Sequence, residues 1–266
     1  MVDENMANAA RVHTVENGRD IENFTMIAFG GGAPLHACRL CEKLDIQSLL
    51  IPPGAGVGSA IGFLRAPFSY EATKGLFQRL DEFEPDVINR TLSSMQNEAQ
   101  NFVHKGAPGE KTITKLTAFM RYSGQGWEIP VSIEFRVLSE EDLPEIQSRF
   151  EEAYELLFGR TIEGLAVEIT NWSLIVATKL EEVSPIDCIG VESKVDTVRI
   201  RSFYDAAKRG FVEAKEVERK AIQPGNAIEG PAVIMEQETS TIVTSSFRAI
   251  GQLDGSLLIT RKEMTK

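Results

Sequence analysis

Thr25-Met26-Ile27-Ala28-Phe29-Gly30-Gly31-Gly32-Ala33-Pro34-Leu35-His36-Ala37 is the stretch on which the fold turns. Its first five residues form a short apolar run of strand type, and three glycines then remove every Cβ where the chain must reverse. Pro34 follows at a place where the first turn of a helix tolerates a missing N–H. From there Leu35, Cys38, Cys41 and Leu44 recur at intervals of three, one apolar stripe suited to lie on a sheet. Gln47-Ser48-Leu49-Leu50-Ile51 supplies a second apolar strand, stopped by Pro52-Pro53-Gly54. Strand, helix and strand in so short a span predict an α/β sheet with parallel neighbours.

Upstream, Glu4 to Val15 predicts a helix with Met6, Ala10 and His13 along one side, ended by Glu16-Asn17-Gly18. Downstream, Gly56 to Leu64 predicts a helix whose small residues allow close backbone packing. The pattern changes between Pro67 and Leu80, where a boundary is placed. A long helix is expected from Pro85 to His104, with Ile88, Leu92, Met95, Ala99 and Phe102 facing inward. Thr112–Tyr122 and Trp127–Phe135 read as a hairpin around Ser123-Gly124-Gln125-Gly126, with Ile129, Val131, Ile133 and Phe135 on one face. Ser139-Glu140-Glu141-Asp142 resembles a capping box, opening a helix with Ile146, Phe150, Ala153 and Leu157 as its stripe. Glu163 to Thr178 follows as strand. The remainder is expected to be a small sheet or barrel, with strands at Thr197–Arg201, Gly230–Met235, Ser240–Val243 and Ser256–Ile259. The fold class is therefore α/β and α+β, in three stretches: 1–70, 71–185 and a β-rich 186–266.

A length of 266 residues, 42% hydrophobic and 25% charged, suffices for a sizeable core. The formal charge of −11 argues against nucleic acid or an anionic membrane as partner, because the phosphates would be repelled. No stretch approaches the roughly 20 apolar residues of a membrane span, and the N-terminus lacks the regions of a signal peptide. With only Cys38, Cys41 and Cys188, no secreted disulfide framework is expected, and a cytoplasmic location fits.

The glycine turn admits two readings: close approach of a flat ring or phosphate, or tight helix-on-strand packing. The run Gly18-Arg19-Asp20, the apolar strand, Phe29-Gly30-Gly31 with Pro34-Leu35-His36-Ala37, the proline-rich loop and Ser59-Ala60-Ile61-Gly62 resembles hydantoinase A-type subunits. That is the ATP-using hydantoinase/5-oxoprolinase/acetone carboxylase family. Met120-Arg121-Tyr122-Ser123-Gly124-Gln125-Gly126-Trp127 and Gly230-Pro231-Ala232-Val233-Ile234 resemble its downstream segments, so the likeness covers most of the chain. Ile51 to Ala60 with Arg65-Ala66-Pro67 is most similar to the acetone and acetophenone carboxylases. The resemblance implies the C-terminal part of an actin-like (ASKHA-type) ATPase domain over 1–70, followed by an α+β, β-rich C-terminal domain. It implies Gly30, Gly31 and Gly32 as nucleotide-binding residues, with Leu35 and His36 as neighbours. The sequence departs from the family's commoner Gly-Gly-Ala-Gly-Pro form, which leaves the contact register open.

The family's upstream Asp-x-Gly-Gly-Thr segment, which serves phosphate and metal, does not occur here. The resemblance thus implies ATP with Mg as cofactor and metal ligands outside this chain. It also implies an upstream ATPase segment and a larger hydantoinase B-type subunit as partners, with no catalytic residue in this chain, which alone should not hydrolyse ATP and looks like the latter part of a longer subunit. Phosphorylation of a carbonyl or amide oxygen is the activity implied for the complex; the alternatives are a non-catalytic scaffold or assembly subunit, or a stand-alone binding domain. Arg121, Tyr122, Gln125 and Trp127 gather polar and aromatic groups at the hairpin turn, suited either to a substrate or partner interface or to a glycine-rich turn over one packed aromatic. Cys38 and Cys41 lack the second ligand pair of a structural zinc site and read as buried thiols.

Overall fold

The computed structural model describes residues 1–180, 183–195, 199–205 and 208–262. In chain order the elements are α1 (Val2–Glu16), β1 (Thr25–Ile27), α2 (Ala33–Leu44), β2 (Ser48–Ile51), α3 (Gly58–Arg65), β3 (Ser69–Arg79), α4 (Pro85–Gly106), β4 (Thr112–Tyr122) and β5 (Ile129–Ile133). There follow α5 (Leu143–Phe158), β6 (Val167–Thr178), β7 (Ser193–Lys194), β8 (Arg199–Asp205), β9 (Gly210–Glu218) and β10 (Asn226–Glu229). β11 (Ala232–Met235), β12 (Ser240–Val243), β13 (Phe247–Gly251) and β14 (Leu257–Arg261) complete the described chain. Of the strand expected at Thr197–Arg201, residues 197 and 198 lie outside the described residues.

The chain forms two compact units, Met1–Arg65 with Val183–Lys266, and Ala66–Glu182. In the first, a six-stranded sheet runs β1-β2-β14-β13-β10-β7 and a four-stranded sheet runs β12-β11-β9-β8. β1 and β2 are parallel, as the strand-helix-strand reading requires. The C-terminal strands do not stand apart from this start of the chain: β14 pairs antiparallel with β2, Ile259 opposite Leu49. A strand of four residues has too few bonds to stand at an edge unsupported, and β14 supplies the second ladder. Cys38, Cys41, Leu44, Leu49, Ile51, Phe247 and Ile259 meet in one buried cluster.

Leu35 is exposed, so only Cys38, Cys41 and Leu44 of the expected stripe on α2 are buried. α2 ends at Asp45, whose left-handed φ of 57° closes the last turn on Cys41 O. α1 turns Ala7 rather than Met6 inward. Around it the Lys43–Glu4 salt bridge and the His36–Asp3 hydrogen bond join α1 to α2, so the helix is docked by polar contacts around one small residue and its large apolar groups stay outside.

In the second unit the sheet order is β3-β6-β4-β5, entirely antiparallel. Ile88, Leu92, Met95 and Ala99 of α4 enter the core as expected, but Val103 takes the place expected for Phe102. Phe102 instead stacks against Phe68, with ring centroids 5.6 Å apart. On α5, Ile146, Phe150 and Tyr154 are buried and Leu157 is exposed. The capping box is present: the Ser139 N–H donates to Asp142 Oδ2 at 2.6 Å. The Ser139 N–H, and then Arg136, which also reaches Asp142, hold that carboxyl below the usual range.

Candidate functional site

The glycine turn lies beyond the C-terminal ends of β1 and β2, the edge at which open α/β sheets bind ligands. Gly30 has φ of 115°, a conformation that costs an L side chain dearly and glycine nothing. Its N–H donates to Ala55 O at 2.8 Å, tying the turn to the loop after β2. A Cβ built on Gly30 or Gly32 would meet no atom within 4 Å, so one face of the turn is open. The other face is backed by protein: a Cβ on Gly31 would lie 3.6 Å from Glu238 O and 3.9 Å from Gly56 O.

The backing comes from far along the chain. Thr239, buried between β11 and β12, donates from Oγ1 to Gly31 O at 2.6 Å. Gly56 brings the loop after β2 against the same turn, since a Cβ there would lie 2.7 Å from Glu238 Cβ and 2.9 Å from Glu238 O. Beside it a cavity of about 640 Å³ opens between Pro53, Gly54, Arg219, Met235 and Glu238. Arg219 fixes its floor, donating to Glu236 Oε1 at 2.9 Å, Ile51 O at 3.0 Å and Gly255 O at 2.7 Å. Arg219 and Lys220 in the lining are each paired, with Glu236 and Glu218, and Glu238 adds a third carboxylate. That surplus of negative charge suits a neutral ring or sugar better than phosphate.

The start of α2 gives the same indication. Gly32 makes no side-chain cap, Pro34 has no N–H, and the Leu35 N–H turns back to Gly32 O at 3.2 Å. The turn therefore offers peptide faces more than the fan of amides that phosphate sites use. Leu35 is exposed at the start of α2, where an apolar ligand surface can reach it. His36 is engaged from the other side, its Nδ1 2.7 Å from Asp3 Oδ1.

Arg121, Tyr122, Gln125 and Trp127 lie in the other unit. Tyr122 is buried edge-on against Phe150 and Tyr154, at centroid distances of 4.9 and 4.8 Å, and its hydroxyl accepts from Ile162 N. Gln125 donates to the Tyr154 hydroxyl at 2.9 Å, and Arg121 pairs with Glu168. Ser123 is the main cause of a lowered Glu168 pKa, with Arg121 adding to it. Trp127 is 77% exposed, so within this set it offers the large free surface. Among the described residues no group of three or more His, Cys, Asp and Glu side chains is placed to hold a metal, and no helix is long and apolar enough to cross a membrane.

Two family descriptions match in tandem, Hydantoinase/oxoprolinase over residues 1–72 and Hydantoinase/oxoprolinase C-terminal domain over residues 84–264. The chain belongs to the hydantoinase/oxoprolinase family. It is 30% identical, over 96% of its length and 36% of the relative's, to an uncharacterized protein of Methanocaldococcus jannaschii. It is 26% identical to the caprolactamase subunit alpha of Pseudomonas jessenii, over 93% of this chain and 36% of that one. The chain thus spans little more than a third of these relatives. In fold it is similar to nucleotide-free acetone carboxylase, with a TM-score of 0.78 and 18% identity over 98% of this chain and 39% of that one. The fold is mixed α/β with several sheets, as expected from the sequence, and its β-rich C-terminal strands share a unit with the first 65 residues.

For this hydantoinase/oxoprolinase chain the sequence located the glycine turn but not its backing. Thr239, Glu238 and Gly56 carry no chemical signature in sequence; only the Pro52-Pro53-Gly54 stop and the short apolar runs flanking residues 236–239 mark them as loops at strand ends. The cysteines are free, Cys38 and Cys41 buried and Cys188 exposed. Burial pushes the Cys38 thiol far up and the Cys41 thiol up to about 12, which makes both poor nucleophiles. A thiol reagent is therefore expected to modify Cys188 in the native protein and Cys38 and Cys41 only after unfolding. Peptide mapping checks this, and native labelling of Cys38 would contradict it.

Proposed function

We propose that this chain contributes the adenosine-binding part of an ATP site in a multi-subunit enzyme that phosphorylates a carbonyl or amide oxygen before hydrolysis or carboxylation. The observation that carries the reading is a glycine turn with one face open and one face braced, at the C-terminal edge of parallel strands and beside an acidic cavity. Adenosine is flat and neutral and fits both features; the phosphates and their Mg carry charge that calls for groups other than those lining this cavity. Those groups, and the metal ligands, belong on an upstream ATPase segment or subunit, with a larger hydantoinase B-type subunit completing the assembly in the cytoplasm. The family relatives support this reading: one is named a caprolactamase subunit, and the structural neighbour is described as an ATP-dependent carboxylase.

Gly32→Asp separates binding from folding. Gly32 has φ of −93° at the N-cap of α2, a position where aspartate is favoured, and its Cβ would project into open space. The variant is expected to fold as well as the parent, while ATP affinity of the complex captured through a tag on this chain falls about a hundredfold, roughly 2.7 kcal/mol. Equal ATP affinity of parent and variant, by equilibrium titration, would refute the adenosine role. A complex that assembles but binds no ATP would favour the scaffold reading.

A further inference from the structure

We propose that the turn between β11 and β12, through Thr239, sets the nucleotide affinity of the glycine turn, making Thr239 a positioning residue for adenosine. The inference rests on the adenosine reading of Gly30 to Gly32 and adds a partner that reading lacks. Three glycines in succession are the most freely rotating segment the chain can have, and a ligand that needs them in one conformation loses affinity for every other conformation they sample. Something must hold them.

The Thr239 hydroxyl does so from the rear, donating to Gly31 O at 2.6 Å across 208 residues of sequence. Thr239 is itself fixed in the turn that joins β11 to β12, just beyond the Met235–Ser240 pair, where Glu236 N donates to Thr239 O at 3.0 Å. Gly31 O is thus fixed from the four-stranded sheet, behind the open face. Gly56 meets the same turn from the loop after β2, with its hydrogens against Glu238. Thr239 touches the turn from behind, so its effect on nucleotide passes through Gly31 and it contacts no ligand itself.

The distinguishing measurement compares ATP with inorganic tripolyphosphate, which lacks adenosine, on the tagged complex. T239V removes the donor at nearly constant volume, and T239A removes it with the rest of the side chain. Both are expected to weaken ATP about tenfold and to leave tripolyphosphate unchanged, with T239S close to the parent. Loss of ATP and tripolyphosphate together would mark a general structural role and overturn the proposal. Unaltered ATP affinity in T239V and T239A, alongside a weakened Gly32→Asp variant, would overturn it while leaving the adenosine reading intact. If Gly32→Asp also binds ATP like the parent, the adenosine reading and this inference fall together. Should T239V not fold, T239A and T239S decide by the same comparison.

Discussion

Trp172→Ala is expected to destabilise the 66–182 unit by about 3–5 kcal/mol, while Trp172→Phe costs less than about 1.5 kcal/mol. Trp172 is fully buried in the middle of β6, between Lys74 of β3 and Ala118 of β4, and is the largest side chain in that core. Truncation to alanine leaves a void that strands fixed on both sides cannot close. The phenylalanine replacement fills most of the volume and has a compensating gain. The indole Nε1 is buried with no hydrogen-bond partner among the described residues, so the native ring already bears the cost of an unmade bond that phenylalanine lacks. Urea unfolding followed by circular dichroism measures both variants. A Trp172→Phe loss as large as that of Trp172→Ala would show the Nε1 to be satisfied after all. In the parent sequence Trp127 is the other tryptophan and is exposed, so W127F leaves Trp172 as the reporter, with the blue emission of a dry site.

β6 also shows where sequence reading stops. Its existence follows from β-branched and apolar residues between Glu163 and Thr178, yet its inward side changes partway along. Val167 and Ile169 face the core, and then Trp172, Leu174 and Val176 do, a change of parity at Thr170 and Asn171. The register against β4 shifts at Phe119/Met120 and that against β3 between Gly75 and Gln78. A bulge of this kind depends on how partner strands meet, which no single-strand pattern records. Thr170 and Asn171, turned out of the alternation, bond to Glu128 instead.

β3 and β9 were illegible for a different reason. Tyr70-Glu71-Ala72-Thr73-Lys74-Gly75 and Glu213-Ala214-Lys215-Glu216 carry the charge of exposed loops. β9 is nonetheless central in its sheet and buries Glu216, which Arg201 meets at 2.7 Å, so the buried charge is paired from the neighbouring strand. Helices fared better because their start and stop residues act locally: Pro34, the Ser139 box and Gly159 are read within one turn. The glycine turn was legible for the same local reason. Its backing was not, because the bond from Thr239 to Gly31 depends on β14 and β13 returning the chain to β2.

That return can be broken at one atom, and Gly230→Ala is expected to cost about 3 kcal/mol or more of stability in the unit that holds the glycine turn. Gly230 joins β10 of the six-stranded sheet to β11 of the four-stranded sheet. A Cβ there would lie 1.9 Å from Thr244 O, 2.7 Å from Thr244 C and 2.9 Å from Phe247 O, all of them backbone atoms. None can rotate aside as a side chain would. Phe247 O accepts from Gly230 N at 3.0 Å, Thr244 O accepts from Phe247 N at 3.1 Å, and Thr244 Oγ1 bonds to Glu42 of α2. Moving Thr244 therefore loosens α2, whose first turn carries Leu35 and His36. Gly62→Ala is the control: in α3 its added methyl meets nothing within 4 Å, and the exchange is expected to gain about 0.5–1 kcal/mol. Thermal unfolding of both variants, with hydrogen exchange at residues 28–40, tests the coupling. A Gly230→Ala protein with unchanged melting temperature and unchanged exchange would mean that the Thr244–Phe247 backbone can shift at this junction without loosening α2.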